Sequence, residues 1–258
     1  MRAARVGGMS ARTAVIAQPT FLPWSGWFDL ADQADVLIIL DDVGFSKQSW
    51  QQRNRIRTPE GLSYLTVPVL TSGRLGQRIA ETQLANTSFA EKMLRTVRQN
   101  YVRAPHFARY FDEFAQRLHQ GALTGRLPEL NRGLIDWLAG ILGMRTPRVL
   151  SSELQVEGRR GAHVALLCER VGANRYLSPA GAEEYLLEDR AEFDGRSIRV
   201  ELHEYAHPVY RQCFEPFVPF ASALDLVLNE GERSGEVMRA GRRPARPLGM
   251  ARVTEEQQ

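Results

Sequence analysis

The sequence predicts an α/β protein built on a largely parallel sheet. Two short, continuous apolar runs, residues 14–17 and 36–40, are rich in β-branched side chains, which is typical of strands buried on both faces. Residues 26–33 between them can form a helix, so the three segments make a β-α-β unit. Parallel strands end at the same edge of a sheet, and we therefore expect Gln18 and Asp41 to lie at one edge.

The remaining elements follow in order along the chain. Residues 62–69 come after a Pro-Glu-Gly turn and are predicted to form a strand, with Pro68 at an edge or an end. Residues 74–83 are a weaker strand candidate. Three amphipathic segments predict a helical block over about 88–143, with Ser88 as the N-cap of its first helix. Beyond the block, the pattern predicts strands at 147–150, 175–178 and 198–202 and helices at 163–171 and 183–187.

These elements predict a single domain over residues 13–231, with the helical block inserted into it. Residues 1–12 are expected to be a flexible N-terminus, within which Met9 is a second possible start. Residues 232–258 contain the run GRRPARPLG and almost no apolar periodicity. They are therefore predicted to form a disordered tail rich in Arg and Pro.

Composition and charge exclude several classes of protein. The formal net charge is +3, and the arginines are spread along the chain, whereas a nucleic-acid footprint should be clustered. The two cysteines are too few for a disulfide framework or a cysteine-based zinc site. No apolar run approaches the roughly 18 residues that a membrane span needs, and no signal peptide is recognisable. A cytoplasmic protein is the resulting prediction.

Polar residues follow the predicted strands, where open α/β sheets bind their ligands. Asp41 and Asp42 could hold a magnesium ion or orient an amine; alternatively Asp42 caps a turn and Asp41 is solvated. Trp50 with Arg53 and Arg55 could stack on and clamp a sugar, base or phosphate. The alternative for this second group is a solvated loop with one buried aromatic residue.

His207 is the histidine best placed to move a proton. Pro208 favours an extended backbone before it, and histidine exchanges protons near neutral pH. The alternative is a partly buried histidine bonded to the backbone. Cys213 could form a nucleophilic pair with His207, although nothing in the spacing favours it, and Cys168 is expected to pack in the core. His203 lies four residues from His207 but in a strand-and-loop pattern, so no metal is predicted, and the absence of a Gly-rich phosphate loop predicts no cofactor.

Ordered motifs resemble the WbqC-like family over nearly the whole folded chain. In order they are QPxFxPxxGxF from Gln18, DDVxFxKxxWxxRNRI from Asp41, LTVPV from Leu65, SSEL from Ser151, YLS from Tyr176, HPVYxQ from His207 and SxxDLxxNxG from Ser222. Where the family commonly has Gly after the YLS motif, this chain has Pro179, so a tight turn is expected to differ there. The family is associated with bacterial surface-polysaccharide gene clusters and with other biosynthetic genes, so the resemblance implies a biosynthetic protein.

The opening of the chain also resembles nucleotidyltransferases of the pantothenate-synthetase type. Those enzymes carry a pair of histidines where this chain has Trp24 and Trp27. Their absence argues against adenylyl transfer. The likeness supports only the fold, an α/β domain with a largely parallel, Rossmann-like sheet and an inserted helical block.

Spacing and resemblance together predict one cleft that joins the two halves of the chain. Lys47 and Arg55 would hold an anionic group of the ligand, Asp41 would orient an amine, and His207 would move the proton. The residues predicted as catalytic are His207, Asp41 and Lys47, and those predicted to bind substrate are Gln18, Asp42, Trp50, Asn54, Arg55, Tyr210, Gln212, Asp225 and Asn229.

The function that the resemblance to the WbqC-like family implies is a transferase that moves an acyl or aminoacyl group onto an amine-bearing sugar or metabolite. Its small-molecule substrate would be a nucleotide-sugar or a carrier-bound acyl donor, and the product would belong to polysaccharide or natural-product biosynthesis. Neither nucleic acid nor a membrane is an expected partner. Two alternatives stay open: a non-catalytic binding or scaffold protein of a biosynthetic complex, and a nucleotidyltransferase or ligase-like activating enzyme.

Overall fold

The structure, a computed structural model, describes residues 11–251 and shows a mixed α/β architecture. In chain order the strands of this part are β1 (Thr13–Ala17), β2 (Val36–Ile39), β3 (Arg53–Thr58), β4 (Gly61–Thr66), β5 (Arg148–Leu150), β6 (Arg175–Pro179), β7 (Arg199–His203) and β8 (Arg246–Pro247). The helices are α1 (Ser25–Asp32), α2 (Phe89–Tyr101), α3 (Phe107–Leu123), α4 (Leu127–Ile141), α5 (Ser151–Leu154), α6 (Arg160–Arg170), α7 (Glu183–Glu188), α8 (Arg190–Asp194), α9 (Ala223–Glu230) and α10 (Ser234–Ala240).

The main sheet has the strand order β5-β2-β1-β6-β7-β8 and is parallel except for β8. Ala14 pairs with Val36, and the parallel register continues to Ala17 and Ile39. This confirms the predicted β-α-β unit and brings the residues after β1 and β2 to the same edge. Counted by their order along the chain, the parallel strands lie 3-2-1-4-5, the doubly wound arrangement in which ligands bind beyond the carboxyl ends.

Helices cover both faces of the sheet. The strand side chains alternate between the two faces and so contribute to two apolar cores. Val15 and Leu37 point into the larger core, which α1, α2, α3, α4 and α9 complete. Ala14 and Ile38 point into a smaller core with residues of α6, α7 and α8. Both faces of the strands are thus buried, which explains why the strands are short, continuous apolar runs.

The connection between β2 and β5 contains a hairpin and the helical block. Helices α2, α3 and α4 span Phe89–Ile141, close to the predicted limits. Strand β4 confirms the strand predicted from residue 62, but its antiparallel partner β3 lies in a polar stretch for which no strand was predicted. The strand predicted over residues 74–83 is wrong, because turns and a 3₁₀ turn at Ile79–Glu81 occupy it. Ser88 precedes α2 but makes no capping hydrogen bond.

Residues 232–251 correct the prediction of a disordered tail. Helix α10 packs against α9, with Met238 fully buried, and β8 pairs with β7. Arg239 donates two hydrogen bonds to Asp32, at 2.8 and 2.9 Å, and Arg242 reaches the buried carboxylate of Asp29 at 2.9 Å. The arginines therefore attach this segment by pairing with α1, which composition alone does not reveal. Residues 252–258 and 1–10, to which the predictions also referred, lie outside the described residues.

Within residues 11–251, no helix has both the length and the apolar character needed to cross a bilayer.

Candidate functional site

Two neighbouring strands of the sheet end in polar side chains that bond to one another. Asp41 and Asp42 follow β2, and Ser151 follows its parallel neighbour β5. The backbone amide of Asp41 donates to Ser151 Oγ at 3.0 Å, so the two strand ends are joined directly. This cluster lies at the carboxyl edge of the sheet, where the topology favours a ligand site.

The Asp41 carboxylate is held by hydrogen bonds from the protein itself. Its carboxylate is buried and accepts hydrogen bonds from the Ser152 amide at 3.0 Å and from Ser152 Oγ at 2.9 Å. These bonds engage both carboxylate oxygens and fix the first turn of α5 to the end of β2. We infer that Asp41 orders the edge rather than contacting a ligand itself.

Asp42 lies beside Asp41 but faces open space. Its Oδ1 accepts a hydrogen bond from Ser151 Oγ at 2.6 Å, and its Oδ2 lies 3.2 Å from Nε2 of His163 on α6. The Asp42 side chain is 14% exposed and that of His163 is 9% exposed. A carboxylate held by a serine and a histidine at the wall of a cleft can accept a hydrogen bond from a ligand and exchange a proton.

The space in front of Asp42 is a cleft of about 660 Å³. Its polar wall comprises the Asp42–His163 pair and the serines, and its rim carries three arginines. Arg160 is paired with Glu188 and Asp189, whereas Arg78 and Arg159 are exposed. We call this the carboxyl-edge cleft; it is lined by Asp42, Val43, Gly44, Arg78, Ser151, Ser152, Gln155, Val156, Glu157, Gly158, Arg159, Arg160 and His163.

A second cleft, of about 290 Å³, has mainly aromatic walls. Three residues predicted to bind substrate, Trp50, Asn54 and Arg55, line it. The Arg55 guanidinium lies 5.2 Å from the Trp50 ring. Asn54 donates to the carbonyls of Phe21 and Leu22 at 3.0 and 2.8 Å. We call this the aromatic cleft; it is lined by Thr20, Trp24, Trp27, Trp50, Asn54, Arg55 and Phe220.

Gln18 and Lys47 line neither cleft. Gln18 Oε1 accepts a hydrogen bond from Gln51 Nε2 at 2.9 Å, which ties the loop after β1 to the loop that precedes β3. Lys47 is exposed on that second loop. Their predicted roles, in binding substrate and in catalysis, stay predictions.

His207 is enclosed by aromatic rings. Trp24 stacks on it at 5.9 Å and Phe220 meets it edge-on at 5.4 Å. Its Nδ1 lies 2.9 Å from the Pro208 carbonyl, and its Nε2 is buried without a hydrogen-bonding partner among the described residues. Burial lowers the pKa of His207, although the contact with Pro208 opposes the change. The lowered pKa favours the neutral ring at pH 7. His207 does not line the carboxyl-edge cleft, which differs from its predicted place in one cleft with the residues at the strand ends.

Four residues predicted to bind substrate form a buried network around Asp225 instead. Tyr101 and Tyr210 each donate to its carboxylate at 2.7 Å, and Gln212 Nε2 donates at 2.9 Å. Asn229 Nδ2 donates to the Asp225 carbonyl at 2.7 Å. Burial raises the pKa of Asp225 above its ordinary value of 3.8, while the hydrogen bonds oppose that rise. These groups satisfy one another inside the larger core.

The predicted single cleft does not match this arrangement. Asp42 lines the carboxyl-edge cleft, whereas Trp50, Asn54 and Arg55 line the aromatic cleft, and the Asp225 network lines neither. His163 was missed as a site residue. The signal that could have found it is its place at the start of an amphipathic helix that follows a predicted strand, since such helices begin at the carboxyl edge.

The two cysteines lie in environments that do not activate a thiol. Cys168 is fully buried, as expected, and burial raises its pKa to about 12. Burial, together with the charge of Asp225, raises the pKa of Cys213 to about 11, so it is not an activated thiol. Within residues 11–251, no group of three or more His, Cys, Asp or Glu side chains is arranged to hold a metal ion.

Comparison with known proteins gives one family and one relative. Residues 18–237 match the model of the WbqC-like protein family. A protein of Mycobacterium tuberculosis (strain ATCC 25618 / H37Rv), named Uncharacterized protein Rv1507c, is 36% identical over 225 residues, which cover 87% of this chain and 96% of that protein. No solved structure matches the chain significantly.

Proposed function

Because the chain belongs to the WbqC-like protein family, we propose that it is a cytoplasmic biosynthetic transferase. The transferred group is an acyl or aminoacyl group, and the acceptor is an amine-bearing sugar or metabolite of polysaccharide or natural-product biosynthesis. The observation that carries the proposal is Asp42, whose carboxylate lies on the wall of the carboxyl-edge cleft between Ser151 and His163.

The acceptor amine would bind to Asp42. Ser151 Oγ already occupies one lone pair of Oδ1, and the exposed part of the carboxylate can accept a hydrogen bond from an amine N–H. Asp41, held by Ser152, keeps the end of β2 in place beneath it. A rigid support of this kind positions a nucleophile without loss of side-chain freedom on binding.

The proposed reaction is attack of the amine nitrogen on the carbonyl carbon of the donor. The new N–C bond forms, the bond between the carbonyl carbon and the oxygen or sulfur of the leaving group breaks, and the nitrogen loses one proton. Asp42 accepts that proton, while the Nε2–H of His163, 3.2 Å away, donates a hydrogen bond to the carboxylate and holds it in position. Asp42 then gives the proton to the leaving oxygen or sulfur and returns to the carboxylate form, and proton transfer of this kind contributes about 10²–10⁴-fold to a rate.

The arginines at the rim of the carboxyl-edge cleft favour a donor that carries an anionic group. Guanidinium groups bind phosphates and carboxylates through paired N–H donors. Arg78 and Arg159 are exposed at the cleft, whereas Arg160 is engaged with Glu188 and Asp189. A nucleotide-linked or phosphopantetheine-type carrier of the acyl group fits this charge.

The test is acyl transfer by the purified protein. Uridine diphosphate amino sugars and other amines are incubated with acyl-coenzyme A thioesters, and mass spectrometry detects acylated amine. We expect product, with a rate lowered about 100-fold or more by Asp42→Asn and by His163→Gln and unchanged by Asp112→Asn, an exposed aspartate on α3.

Three results would contradict the proposal. Full activity of both Asp42→Asn and His163→Gln would remove the role of the pair. Release of pyrophosphate from ATP that requires the amine would identify an activating enzyme instead. Binding of an amine without turnover of any donor would identify a non-catalytic binding protein.

A further inference from the structure

The aromatic cleft concentrates tryptophan to an unusual degree. The chain contains four tryptophans, and three of them, Trp24, Trp27 and Trp50, line this one cleft. Phe220 forms the remaining aromatic wall. Trp50 and Phe220 are each 48% exposed, so the cleft presents aromatic surface that the folded chain does not cover.

The backbone holds Phe220 in an unfavourable conformation. Its φ of 68° lies in the left-handed region, where a bulky side chain is a genuine outlier. The next residues are fixed, since the Ser222 amide donates to the Arg55 carbonyl at 2.8 Å and the Ala223 amide donates to the Pro23 carbonyl at 2.8 Å. Backbone strain of this kind persists where the surrounding structure imposes it, and it concentrates at ligand sites.

The opposite wall is equally well supported. Asn54 is buried and clamps the carbonyls of Phe21 and Leu22, which precede Trp24 in the loop after β1. The Phe21 amide donates to the Trp50 carbonyl at 2.9 Å, so the loop is joined to the residues that precede β3. The cleft is therefore preorganised, which lowers the entropy cost of binding.

One cation with unused donors faces this space. The Arg55 guanidinium stacks on Trp50 at 5.2 Å, and its Nε is buried without a hydrogen-bonding partner among the described residues. Its Nη2 makes one long contact, 3.5 Å, with the Phe220 carbonyl. A buried donor without a partner is costly, and an anionic oxygen in the cleft would satisfy it.

We propose that the aromatic cleft is a second binding site, which takes a flat ring carrying a phosphate or carboxylate group. The ring stacks among Trp24, Trp50 and Phe220, and the anionic group bonds to Arg55. A volume of about 290 Å³ is near the lower limit for ligand sites, which favours a single ring system with a short substituent. The site does not depend on the reaction proposed for the carboxyl-edge cleft.

The test is isothermal titration calorimetry with two kinds of ring anion. Adenosine and uridine monophosphates represent nucleotides, and 4-hydroxybenzoate represents aromatic acids; adenosine, uridine and 4-hydroxybenzyl alcohol are their neutral counterparts. We expect one of the two anion series to bind, and the series that binds identifies the source of the ligand. The neutral counterpart of that series should bind about 10-fold or more weakly.

Variants separate stacking from charge. Trp50→Ala should weaken binding about 10-fold or more, and Trp50→Phe should restore most of it because a ring remains. Arg55→Gln should weaken binding of the anion and leave binding of its neutral counterpart unchanged. Arg53→Gln is the matched control, since Arg53 lies in the same strand but stacks on Tyr64 at 4.5 Å, outside the cleft. Circular dichroism establishes that each variant is folded.

The proposal fails if neither series binds at millimolar concentration. It also fails if an anion binds and both folded variants, Trp50→Ala and Arg55→Gln, retain the affinity of the unaltered protein. A failure to detect acyl transfer would contradict the function proposed for the carboxyl-edge cleft. It would leave the binding constants measured for the aromatic cleft unchanged.

Discussion

Two aspartates of this chain look alike in the sequence and occupy opposite environments in the fold. Asp42 and Asp225 each adjoin a short apolar segment and each bond to a hydroxyl group. Asp225 is fully buried, and three side chains, from Tyr101, Tyr210 and Gln212, donate to its carboxylate. Asp42 accepts one serine hydrogen bond, faces a histidine and borders a cleft of about 660 Å³.

The difference shows how a polar cluster divides between structure and function. A buried carboxylate must have all its partners within the protein, because an unpaired charge in the core is costly. The Asp225 network meets that condition and has no room for a ligand. A carboxylate at the wall of a cleft retains acceptor capacity that only water or a ligand can use, and Asp42 is of this second kind.

The largest expected effect on stability is that of Asp225→Asn. An amide NH₂ in place of one carboxylate oxygen would face a tyrosine hydroxyl that now donates, so a buried donor would lose its acceptor. We expect the free energy of unfolding to fall by about 2–5 kcal/mol. Urea unfolding followed by circular dichroism measures it, with Asp112→Asn on the exposed face of α3 as the control. Unchanged stability would show that Asp225 is not a structural centre.

A smaller loss is expected for Arg242→Ala. Arg242 bonds to the fully buried Asp29 at 2.9 Å and to Asp32 at 2.7 Å, and so attaches the segment after α9 to α1. We expect a loss of about 1–2 kcal/mol in the same unfolding measurement. The neighbouring Arg243→Ala should cost less than about 0.5 kcal/mol, because Arg243 is exposed and bonds only to backbone carbonyls. Equal effects of the two variants would contradict the proposed attachment.

The smallest effect depends on pH and involves His207. Burial lowers its pKa from the ordinary value of 6.5, so the unfolded chain binds the proton more tightly than the folded one. The stability that the neutral ring contributes is present above about pH 6.5 and is lost as the pH falls through the lowered folded value. His207→Gln should reduce this slope of unfolding free energy between pH 8 and 5. An NMR titration that places the pKa of His207 above 6.5 would contradict the burial argument.

The sequence predicted the fold well where burial determines the pattern. Strands β1, β2 and β6 are apolar because helices cover both faces, and the helices between residues 88 and 143 show clear apolar stripes. It missed β3, whose residues Arg53 and Arg55 are charged because one face of the hairpin is exposed. It also missed α10, which is held in part by arginine pairs that contribute no apolar periodicity.

The site was harder to predict for a different physical reason. The rule for strand ends placed Asp41 and Asp42 at the correct edge, but it could not say which carboxylate would turn inward to Ser152 and which would face solvent. His207 and Tyr210 belong to motifs of the family resemblance, yet the fold uses them in an aromatic cluster and a buried network. Only the three-dimensional partners of a polar group separate these outcomes.

The most direct test of the account compares Asp42→Asn with Asp225→Asn in the same two assays, urea unfolding and acyl transfer to an amine. Asp42→Asn should lower the rate about 100-fold or more and change the free energy of unfolding by less than about 1.5 kcal/mol, whereas Asp225→Asn should show its main effect in unfolding. If Asp42→Asn instead destabilised the protein as much as Asp225→Asn, or retained the full transfer rate, the assignment of Asp42 to the functional site would be contradicted.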